Sequence, residues 1–416
     1  MSSNPALNVG IIGFGEMGKR HALEYHNATM GKMKFPAVVE PEEGRYEEGC
    51  KWYGHRPRRY TSIGKMLETE SLDALIIASP NHLHLENLRS CTGSNLPLML
   101  EKPLESSFEN ICTLVRTARA YNKPIMVDHV MRYAPIIRKA KDIITAGGIG
   151  KVCSFNFVQY HGGQALFSTF RRTMAGGGGQ LIEKATHDLD TAFYLCGAAP
   201  RSVSGVSRLQ KFGGDKPEAL TCSDCDEIGC ANRLVVGESS NATVKDIDLS
   251  HDLCPFSSVV DVFDNEMCIV ECSGNVFGTY SHCYFVNNHF SRRYEIIGTE
   301  GLLYIELSMR EKIYDFDGRI TVARASSLPG LPGIEEHKFN YQNRIHYNGG
   351  PFAGCHFYDM IRGEAEPFTT VEDAFAAEMT GIAAMKSSSE RRWIDIENDV
   401  VPPDLRPAFR DAYKPD

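Results

Sequence analysis

The sequence predicts an α/β protein, with an N-terminal doubly wound parallel sheet followed by an α/β domain that has a large open, mainly antiparallel sheet. In the first 125 residues, five apolar runs are each followed by a polar stretch that suits a helix, which is typical of a parallel sheet covered on both faces. After about residue 130 the strand-like runs alternate apolar and polar residues. Because 416 residues exceed one core of ordinary size, we expect two domains, residues 1–128 and residues 129–416.

The five apolar runs of the first domain predict its strands. In chain order they are "NVGIIGFG", "FPAVVE", "LDALIIASP", "LPLMLEKP" and "KPIMVDH". Stretches such as "HLHLENLRSCTG" and "SFENICTLVRTARAYN" follow them and suit helices. Right-handed crossover connections then favour the doubly wound arrangement.

The second domain is predicted from alternating runs. They are "KVCSFNFVQYHG", "VVDVFDNEMCIVECSG", "VFGTYSHCYFV", "RRYEIIGTEGLLYIEL" and "KIYDFDGRITVAR". Residues 205–255 are rich in cysteine, serine and charge and predict an insertion, residues 325–350 predict a loop, and "VEDAFAAEMTGIAAMKSSSE" predicts a helix. No helix layer is evident for the second face of this sheet, so we expect a homo-oligomer joined through that face.

Composition excludes several classes of protein. The formal net charge of −9 argues against nucleic acid as the main partner, because phosphate binding needs a basic surface. No run of about 18 apolar residues occurs and no secretory signal is evident at the start, so we expect a cytoplasmic protein without a membrane span. The thirteen cysteines are mostly isolated, which suits free thiols in a reducing compartment.

A glycine motif follows the first predicted strand and opens a helix. It reads Gly13-Phe14-Gly15-Glu16-Met17-Gly18. This spacing in this context predicts a dinucleotide site, with the pyrophosphate at the helix N-terminus. Glu40 closes the second strand, where a carboxylate accepts hydrogen bonds from ribose hydroxyls and repels a 2′-phosphate, so we expect NAD rather than NADP. Arg45 lies nearby and softens that preference, and a simple glycine turn before an exposed glutamate is the alternative interpretation.

Two further segments gather ionisable groups. Glu101-Lys102-Pro103 places a lysine at the carboxyl edge of a predicted parallel strand, where ligands of open α/β sheets bind, although a lysine there is often merely exposed. "QLIEKATHDLD" at residues 180–190 follows four glycines. If residues 181–196 form one helix, its ionisable side chains cluster on one face, which is either a solvated surface or the wall of an active site. Those side chains are Glu183, Lys184, His187, Asp188 and Asp190.

Taken together, these motifs resemble those of the Gfo/Idh/MocA oxidoreductases. The segments that carry the resemblance are "VGIIGFGEMG", "ASPNHLHLEN", "EKPLESS", "VMRYAP", "GGGGQLIEKATHDLD" and "EIIGTEG", and together they span about residues 8–395. The resemblance implies an N-terminal Rossmann domain, an α/β domain with an open sheet, and NAD(P)-dependent chemistry on sugars, polyols or their derivatives. It also implies a homodimer or homotetramer. It does not fix the substrate.

The resemblance also implies roles for individual residues. Lys102 matches the catalytic lysine and His187 the catalytic histidine, whose ordinary pKa suits a general base. Glu183 stands where the inositol dehydrogenases have aspartate. Ser79, Pro80, Asn81, His84 and Glu101 match the cofactor side of the site. Further expected substrate contacts are Lys184, Asp188, Arg132, Tyr160, His161 and Arg172.

The resulting hypothesis is hydroxyl oxidation, in which His187 takes the proton, Lys102 holds the oxygen, and hydride passes to the nicotinamide. A redox-neutral NAD-dependent glycosidase that works through a transient 3-keto sugar is the alternative within enzymes. A non-catalytic NAD(P)-binding sensor is the alternative of another class, and the joint presence of Lys102 and His187 argues against it.

The cysteines of the predicted insertion leave three interpretations open. Cys222-x2-Cys225-x4-Cys230, with Cys254 further on, fits a structural zinc site, thiols without metal, or disulfides. Hydride transfer does not require a metal, and we expect none in the catalytic site.

Overall fold

Strands and helices alternate at the start of the chain and give way to consecutive strands. The computed structural model describes residues 6–162, 164–233, 252–286, 290–309, 316–325, 332–341 and 345–413. The strands are β1 (Leu7–Ile12), β2 (Met33–Val39), β3 (Arg58–Tyr60), β4 (Ala74–Ile77), β5 (Leu98–Leu100), β6 (Ile125–Val127), β7 (Val152–Tyr160), β8 (Pro200–Arg208), β9 (Asn265–Cys272), β10 (Phe277–Cys283), β11 (Ser291–Gly298), β12 (Gly301–Met309), β13 (Phe316–Ala325), β14 (Pro332–Tyr341) and β15 (Ile394–Asp395).

The helices flank these strands in the same chain order. They are α1 (Glu16–Ala28), α2 (Glu43–Tyr53), α3 (Ile63–Thr69), α4 (His84–Cys91), α5 (Phe108–Arg119), α6 (Pro135–Thr145), α7 (Gln164–Phe167), α8 (Met174–Gly177), α9 (Gln180–Glu183), α10 (Ala185–Cys196), α11 (Gly349–Ile361), α12 (Val371–Glu390), α13 (Ile396–Asp399) and α14 (Arg406–Asp411). No helix within the described ranges is long and apolar enough to cross a membrane.

The chain forms two compact units, and the division differs from the predicted one. The first unit is Met1–Tyr133 with Asn348–Phe375, and the second is Ala134–Tyr347 with Ala376–Asp416. The predicted first domain, residues 1–128, therefore lacks the later segment Asn348–Phe375, in which the chain returns to the first unit. In that return, α11 packs on α1, and a β-carbon at Gly354 would overlap the ring of Tyr25. This close approach explains a small residue at that position of α11.

The first unit contains a six-stranded parallel sheet in the order β3-β2-β1-β4-β5-β6. The predicted doubly wound sheet is thus confirmed, with one strand added. β3 was not predicted because its sequence, "RRY", is short and polar, and it pairs only at the sheet edge beside β2. The core on one side of the sheet combines residues of β1 and β2 with Tyr25, Ala353 and Phe357.

The second unit contains a nine-stranded sheet in the order β14-β13-β12-β11-β7-β10-β9-β8-β15. β7 and β10 pair in parallel, and the other neighbouring strands pair antiparallel. The predicted open, mainly antiparallel sheet is confirmed. β14 falls in the predicted loop and β8 overlaps the predicted insertion, so both were missed. Residues 234–251 of that insertion, and residues 326–331 and 342–344 of the loop, lie outside the described part of the chain.

One face of the nine-stranded sheet carries helices α6 and α10, and α12 lies against β8. α12 approaches β8 closely, because a β-carbon at Gly205 would lie 2.6 Å from the carbonyl oxygen of Ala384. The backbone N–H of Gly205 also donates to Ser387 Oγ at 3.0 Å. The other face exposes apolar side chains from several strands. They include Val206, Met267, Ile269, Phe277, Ile297, Leu302 and Ile334.

Candidate active site

The glycine turn between β1 and α1 has three glycines with different functions. Gly13 has φ +90°, and a β-carbon there would lie 2.7 Å from the carbonyl oxygen of Ala78. A β-carbon at Gly18 would overlap the carbonyl of Gly13. At Gly15 the nearest atom to a β-carbon is Arg45 Cδ, 3.6 Å away, so this side of the turn is open. The turn therefore leaves room for a phosphate at the N-terminus of α1.

Glu40 is fixed against this turn. It follows β2 and is only 3% exposed. Its Oε2 accepts from the backbone N–H of Phe14 at 3.0 Å, and its Oε1 accepts from that of Glu42 at 3.0 Å. Each bond occupies one lone pair of its oxygen, so acceptor capacity remains for two hydroxyls. Arg45 Nη1 lies 3.9 Å from Glu40 Oε1, while its Nη2 lies closer to Glu42, at 3.0 Å.

His84 connects the loop after β4 to the Glu101-Lys102-Pro103 segment. Its Nε2 lies 2.9 Å from the carbonyl oxygen of Ser79, and its Nδ1 lies 2.9 Å from that of Pro103. Burial lowers the pKa of His84, and the hydrogen bonds to the Ser79 and Pro103 carbonyls oppose this shift. The predicted cofactor residues Ser79, Pro80, Asn81 and His84 thus form one loop with a fixed relation to Lys102.

Behind Lys102, three buried ionisable groups lie together. Glu101 Oε1 lies 2.7 Å from His21 Nε2, Asp128 Oδ2 lies 3.7 Å from the same nitrogen, and Glu101 Oε2 accepts from the Lys102 N–H at 3.1 Å. Burial opposes charge on Glu101 and His21. Their mutual hydrogen bond outweighs it, lowering the pKa of Glu101 and raising that of His21. Burial and the nearby Glu101 raise the pKa of Asp128 to about 8, so Asp128 is protonated at neutral pH.

The segment "QLIEKATHDLD" forms two helices and has no solvated face. α9 ends at Glu183, α10 begins at Ala185, and Lys184 breaks the predicted single helix between them. Glu183, His187, Asp188 and Asp190 are all at most 2% exposed. The interpretation of this segment as a solvated helix surface is therefore wrong, and its ionisable groups belong to the interior of the second unit.

Glu183 and His187 have neighbours that the sequence did not single out. Glu183 Oε1 accepts from Arg171 Nε at 2.8 Å and lies 3.8 Å from Lys184 Nζ. The ring of His187 lies beside that of His346, with 5.3 Å between the ring centres. His346 has φ +48°, a left-handed conformation that a non-glycine residue adopts at a cost and that is concentrated at functional sites.

Asp188, which we expected to bind substrate, is an internal anchor instead. Its Oδ1 accepts from Arg292 Nε at 2.9 Å and from the hydroxyl of Tyr294, and the Tyr280 hydroxyl lies 3.4 Å from Oδ2. With its amide oriented to satisfy its neighbours, Gln159 donates to Oδ2 at 3.1 Å. These partners come from β7, β10 and β11 and use the carboxylate fully, so Asp188 ties α10 to the sheet.

Two of the expected substrate contacts also have structural partners. Arg132 Nη1 donates to Asp373 Oδ2 at 3.0 Å inside the first unit. Arg172 donates to the carbonyl oxygens of Cys254 at 3.2 Å and Glu218 at 2.8 Å. Both guanidinium groups thus have partners within the fold, and their contact with substrate stays a prediction.

Tyr160 is the last residue of β7 and His161 follows it, but their side chains have different neighbours. Burial, with the positive charges of Lys184 and Arg292, lowers the pKa of His161 to about 3. The ring is therefore neutral near Lys184, and it packs 4.8 Å from Phe290 between ring centres. The ring of Tyr160 instead faces Arg293, 5.5 Å from its guanidinium carbon.

The predicted site residues are found in both units. The first unit holds the phosphate turn, Glu40 and Lys102, and the second holds a wall of basic and imidazole groups around Glu183. That wall consists of Arg171, Lys184, His161, His187 and His346. It can exchange protons and hydrogen-bond a ligand rich in hydroxyl groups. Arg171 is next to Arg172, which the sequence analysis named as a substrate contact, so the same reasoning could have included it. His346 lies in a segment without periodicity and gave no signal.

Comparisons with known proteins agree with this organisation. The model of an oxidoreductase family with an NAD-binding Rossmann fold matches residues 7–129, and that of the GFO/IDH/MocA C-terminal domain matches residues 137–304. The scyllo-inositol 2-dehydrogenase (NAD(+)) of Bacillus subtilis is 25% identical over 403 residues, which cover 95% of this chain and 97% of that protein. The levoglucosan dehydrogenase of Pseudarthrobacter phenanthrenivorans is 26% identical over 413 residues, covering 94% and 98%.

A solved structure gives the same picture of the fold. Levoglucosan dehydrogenase in complex with NADH and levoglucosan superposes with a TM-score of 0.73 at 20% sequence identity. The match covers 94% of this chain and 99% of that one. At this identity the likeness establishes the fold.

Proposed function

The chain belongs to the Gfo/Idh/MocA family of oxidoreductases, and from this premise we propose that it oxidises a hydroxyl group of a sugar, polyol or inositol with NAD as hydride acceptor. The observation that carries the proposal is the burial of Glu183 and His187, which are each 2% exposed. Ionisable groups are rarely kept inside a protein unless they are paired or used in function. The two relatives named above act on an inositol and on an anhydrosugar, which supports this class of substrate.

The residues of the first unit fit the cofactor. Gly13, Gly15 and Gly18 with the N-terminus of α1 would hold the pyrophosphate, and Glu40 would accept hydrogen bonds from the ribose hydroxyls. When bound, NAD supplies the hydride acceptor at the nicotinamide. The negative charge of Glu40 disfavours a 2′-phosphate, so the proposed cofactor is NAD rather than NADP.

The proton chemistry is assigned to Lys102 and His187. His187 takes the proton of the substrate hydroxyl as general base, and Lys102 donates a hydrogen bond to the same oxygen. Glu183 offsets one of the two positive charges of Arg171 and Lys184 and holds both side chains in place to bind neighbouring hydroxyls. Lys102 follows Glu101, whose hydrogen bond to His21 fixes the start of the segment.

A panel of free sugars, inositols and aryl glycosides tests the proposal, with NADH and released aglycone followed in parallel. We expect NADH formation with at least one free sugar or polyol. Aglycone release without net NADH would replace the proposal with the redox-neutral glycosidase. Binding without turnover across the panel, combined with a measurable NAD affinity, would favour a sensor.

On the substrate found, Lys102→Met and His187→Ala should each lower kcat by about 10²–10⁴-fold and leave NAD affinity nearly unchanged. The double variant should be little worse than the more damaged single one, because both groups act on one hydroxyl. Lys65→Met and His55→Ala, at exposed positions of the first unit, are the matched controls and should keep full activity. Near-normal kcat in either active-site variant would contradict the proton path.

A further inference from the structure

Four cysteines between β8 and β9 take no part in the proposed reaction and lie together. Cys222, Cys225, Cys230 and Cys254 are all free thiols. They line one cavity of about 20 Å³, which is large enough for a single water or ion. The remaining lining is Lys216, Glu227, Asn232, Arg233, Pro255 and Phe256.

Backbone hydrogen bonds hold the first and last of these cysteines on adjacent segments. Cys222 N donates to the carbonyl oxygen of Asp252 at 2.7 Å, and Cys254 N donates to that of Leu220 at 2.8 Å. An antiparallel bridge between Thr221 and Leu253 lies between them. Residues that are about 30 positions apart in sequence therefore present their thiols to the same cavity.

The two middle cysteines are held by Arg233. Its Nη1 donates to the carbonyl oxygen of Cys225 at 2.7 Å, and its backbone N–H donates to that of Cys230 at 3.0 Å. The four sulfur atoms that line this one small cavity are the donors that a thiolate-binding cation requires.

We propose that Cys222, Cys225, Cys230 and Cys254 bind a structural zinc ion. The C-x2-C-x4-C spacing with a distant fourth cysteine supplies four sulfur ligands, the set that tetrahedral zinc takes in closed structural sites. Arg233 and Arg172 donate to the backbone carbonyls of the ligand residues Cys225 and Cys254. Their positive charges offset part of the net negative charge of a tetrathiolate zinc centre, whereas Lys216, which also lines the cavity, is paired with Glu227 at 3.5 Å.

The ion must also draw the sulfurs together. Zinc–sulfur bonds of about 2.3 Å in a tetrahedron place the sulfurs about 3.8 Å apart. In the described part of the chain, the sulfur atoms of these cysteines do not form a group of three or more that lie within 4.8 Å of one another. The ligand atoms of His21, Glu101 and Asp128 in the first unit do meet that distance. Side-chain rotations of the cysteines have to supply this contraction, while the hydrogen-bonded backbone stays in place.

Metal analysis of the full-length protein tests the site. After purification under reducing conditions and dialysis against metal-free buffer, we expect about one zinc per chain by plasma mass spectrometry. Cobalt exchanged for zinc should give the absorption of thiolate-to-cobalt charge transfer. A chain that holds no zinc, and takes up neither ion when each is added, overturns the proposal. Disulfides among these four cysteines, found by peptide mapping, do the same.

Variants at the two half-buried ligands sharpen the test. Cys225→Ser and Cys230→Ser should each lower the zinc content well below one per chain, while Cys153→Ser, at a half-buried thiol of β7, should keep it. Full zinc content in either ligand variant overturns the assignment. Should these variants fail to fold, the zinc content and cobalt spectrum of the unaltered chain still decide the question.

Discussion

At the scale of single residues, Glu40 combines a structural role with the selective role that we propose for it. Its carboxylate accepts from the Phe14 N–H, which is part of the glycine turn, so the group proposed to bind the ribose also holds this turn. Arg45 lies 3.9 Å from one carboxylate oxygen, but it pairs more closely with Glu42. We therefore expect the negative charge of Glu40 to dominate the cofactor preference.

Replacing Glu40 tests this expectation. Glu40→Gln keeps an acceptor for the Phe14 N–H and removes the charge, whereas Glu40→Ser removes both. Each should narrow the difference between NAD and NADP affinity, by about tenfold or about 1.4 kcal/mol for the glutamine variant. Titration calorimetry with both cofactors measures the ratio, and Glu43→Ser, at an exposed position, is the control. Equal or tighter NADP binding by the unaltered protein would contradict the assignment.

Asp128 gives the first unit a dependence of stability on pH that is unusual for an aspartate. Its folded-state pKa is raised to about 8 by burial and by Glu101, above the ordinary value near 4. The folded state therefore holds a proton that the unfolded state has released. This contribution to stability is present at low pH and is lost as the pH rises through about 8. His21, whose pKa is also raised, adds a change of the same sign, and Glu24 and Glu101 are the other charges nearby.

Asp128→Asn isolates this contribution, because the amide resembles the protonated acid and does not titrate. Between pH 6 and pH 8 the unaltered protein should lose about 1–3 kcal/mol more of its free energy of unfolding than the variant does. Urea denaturation at several pH values measures the difference. Parallel pH profiles for the two proteins would show that Asp128 is ionised in the folded state at neutral pH.

At the scale of secondary-structure elements, α10 shows what a sequence pattern can and cannot predict. Periodicity placed its polar residues on one face, and burial then depended on partners far away in the chain. Asp188 meets Arg292 and Tyr294, which are more than 100 residues later, and Asp190 accepts from the hydroxyl of Tyr413. A buried polar face and a solvated one have the same local sequence. The glycine turn and Glu40 were predictable because their chemistry is confined to one strand, one turn and the next strand.

The missed strands have a related cause. β14 reads "PGIEEHKFNY" and pairs with β13 along its whole length, but its side chains carry little apolar alternation. Backbone pairing at a sheet edge does not need a buried face, so hydrophobic periodicity cannot detect it. The break between α9 and α10 lies at Lys184, where φ is −118° and ψ is −41°. A lysine suits the interior of a helix, so the residue type gives no signal of this break.

At the scale of the whole molecule, the nine-stranded sheet has one helix-covered face and one open face. On the open face, Met267 is 56% exposed, Ile269 43% and Phe277 57%, on the neighbouring strands β9 and β10. Val206 extends the same surface, because it pairs with Met267 in the register of β8 and β9. Contiguous apolar surface of this kind marks an interface with another protein. The expectation of a homo-oligomer from the sequence thus gains a defined surface.

We expect the protein to form a dimer or tetramer through this open face, because burying these side chains removes apolar area from water at about 25 cal/mol per Å². Light scattering at micromolar concentration should give a multiple of the monomer mass. Ile269→Glu places a charge in the middle of the face and should shift the mass toward the monomer. Ile228→Glu, at a position that is 83% exposed outside the sheet, is the matched control and should leave the assembly intact. A monomeric mass for the unaltered chain would exclude the interface. A glutamate buried without a partner would destabilise contact through β9. If the Ile269→Glu variant still assembled fully, the interface would therefore have to lie on another surface.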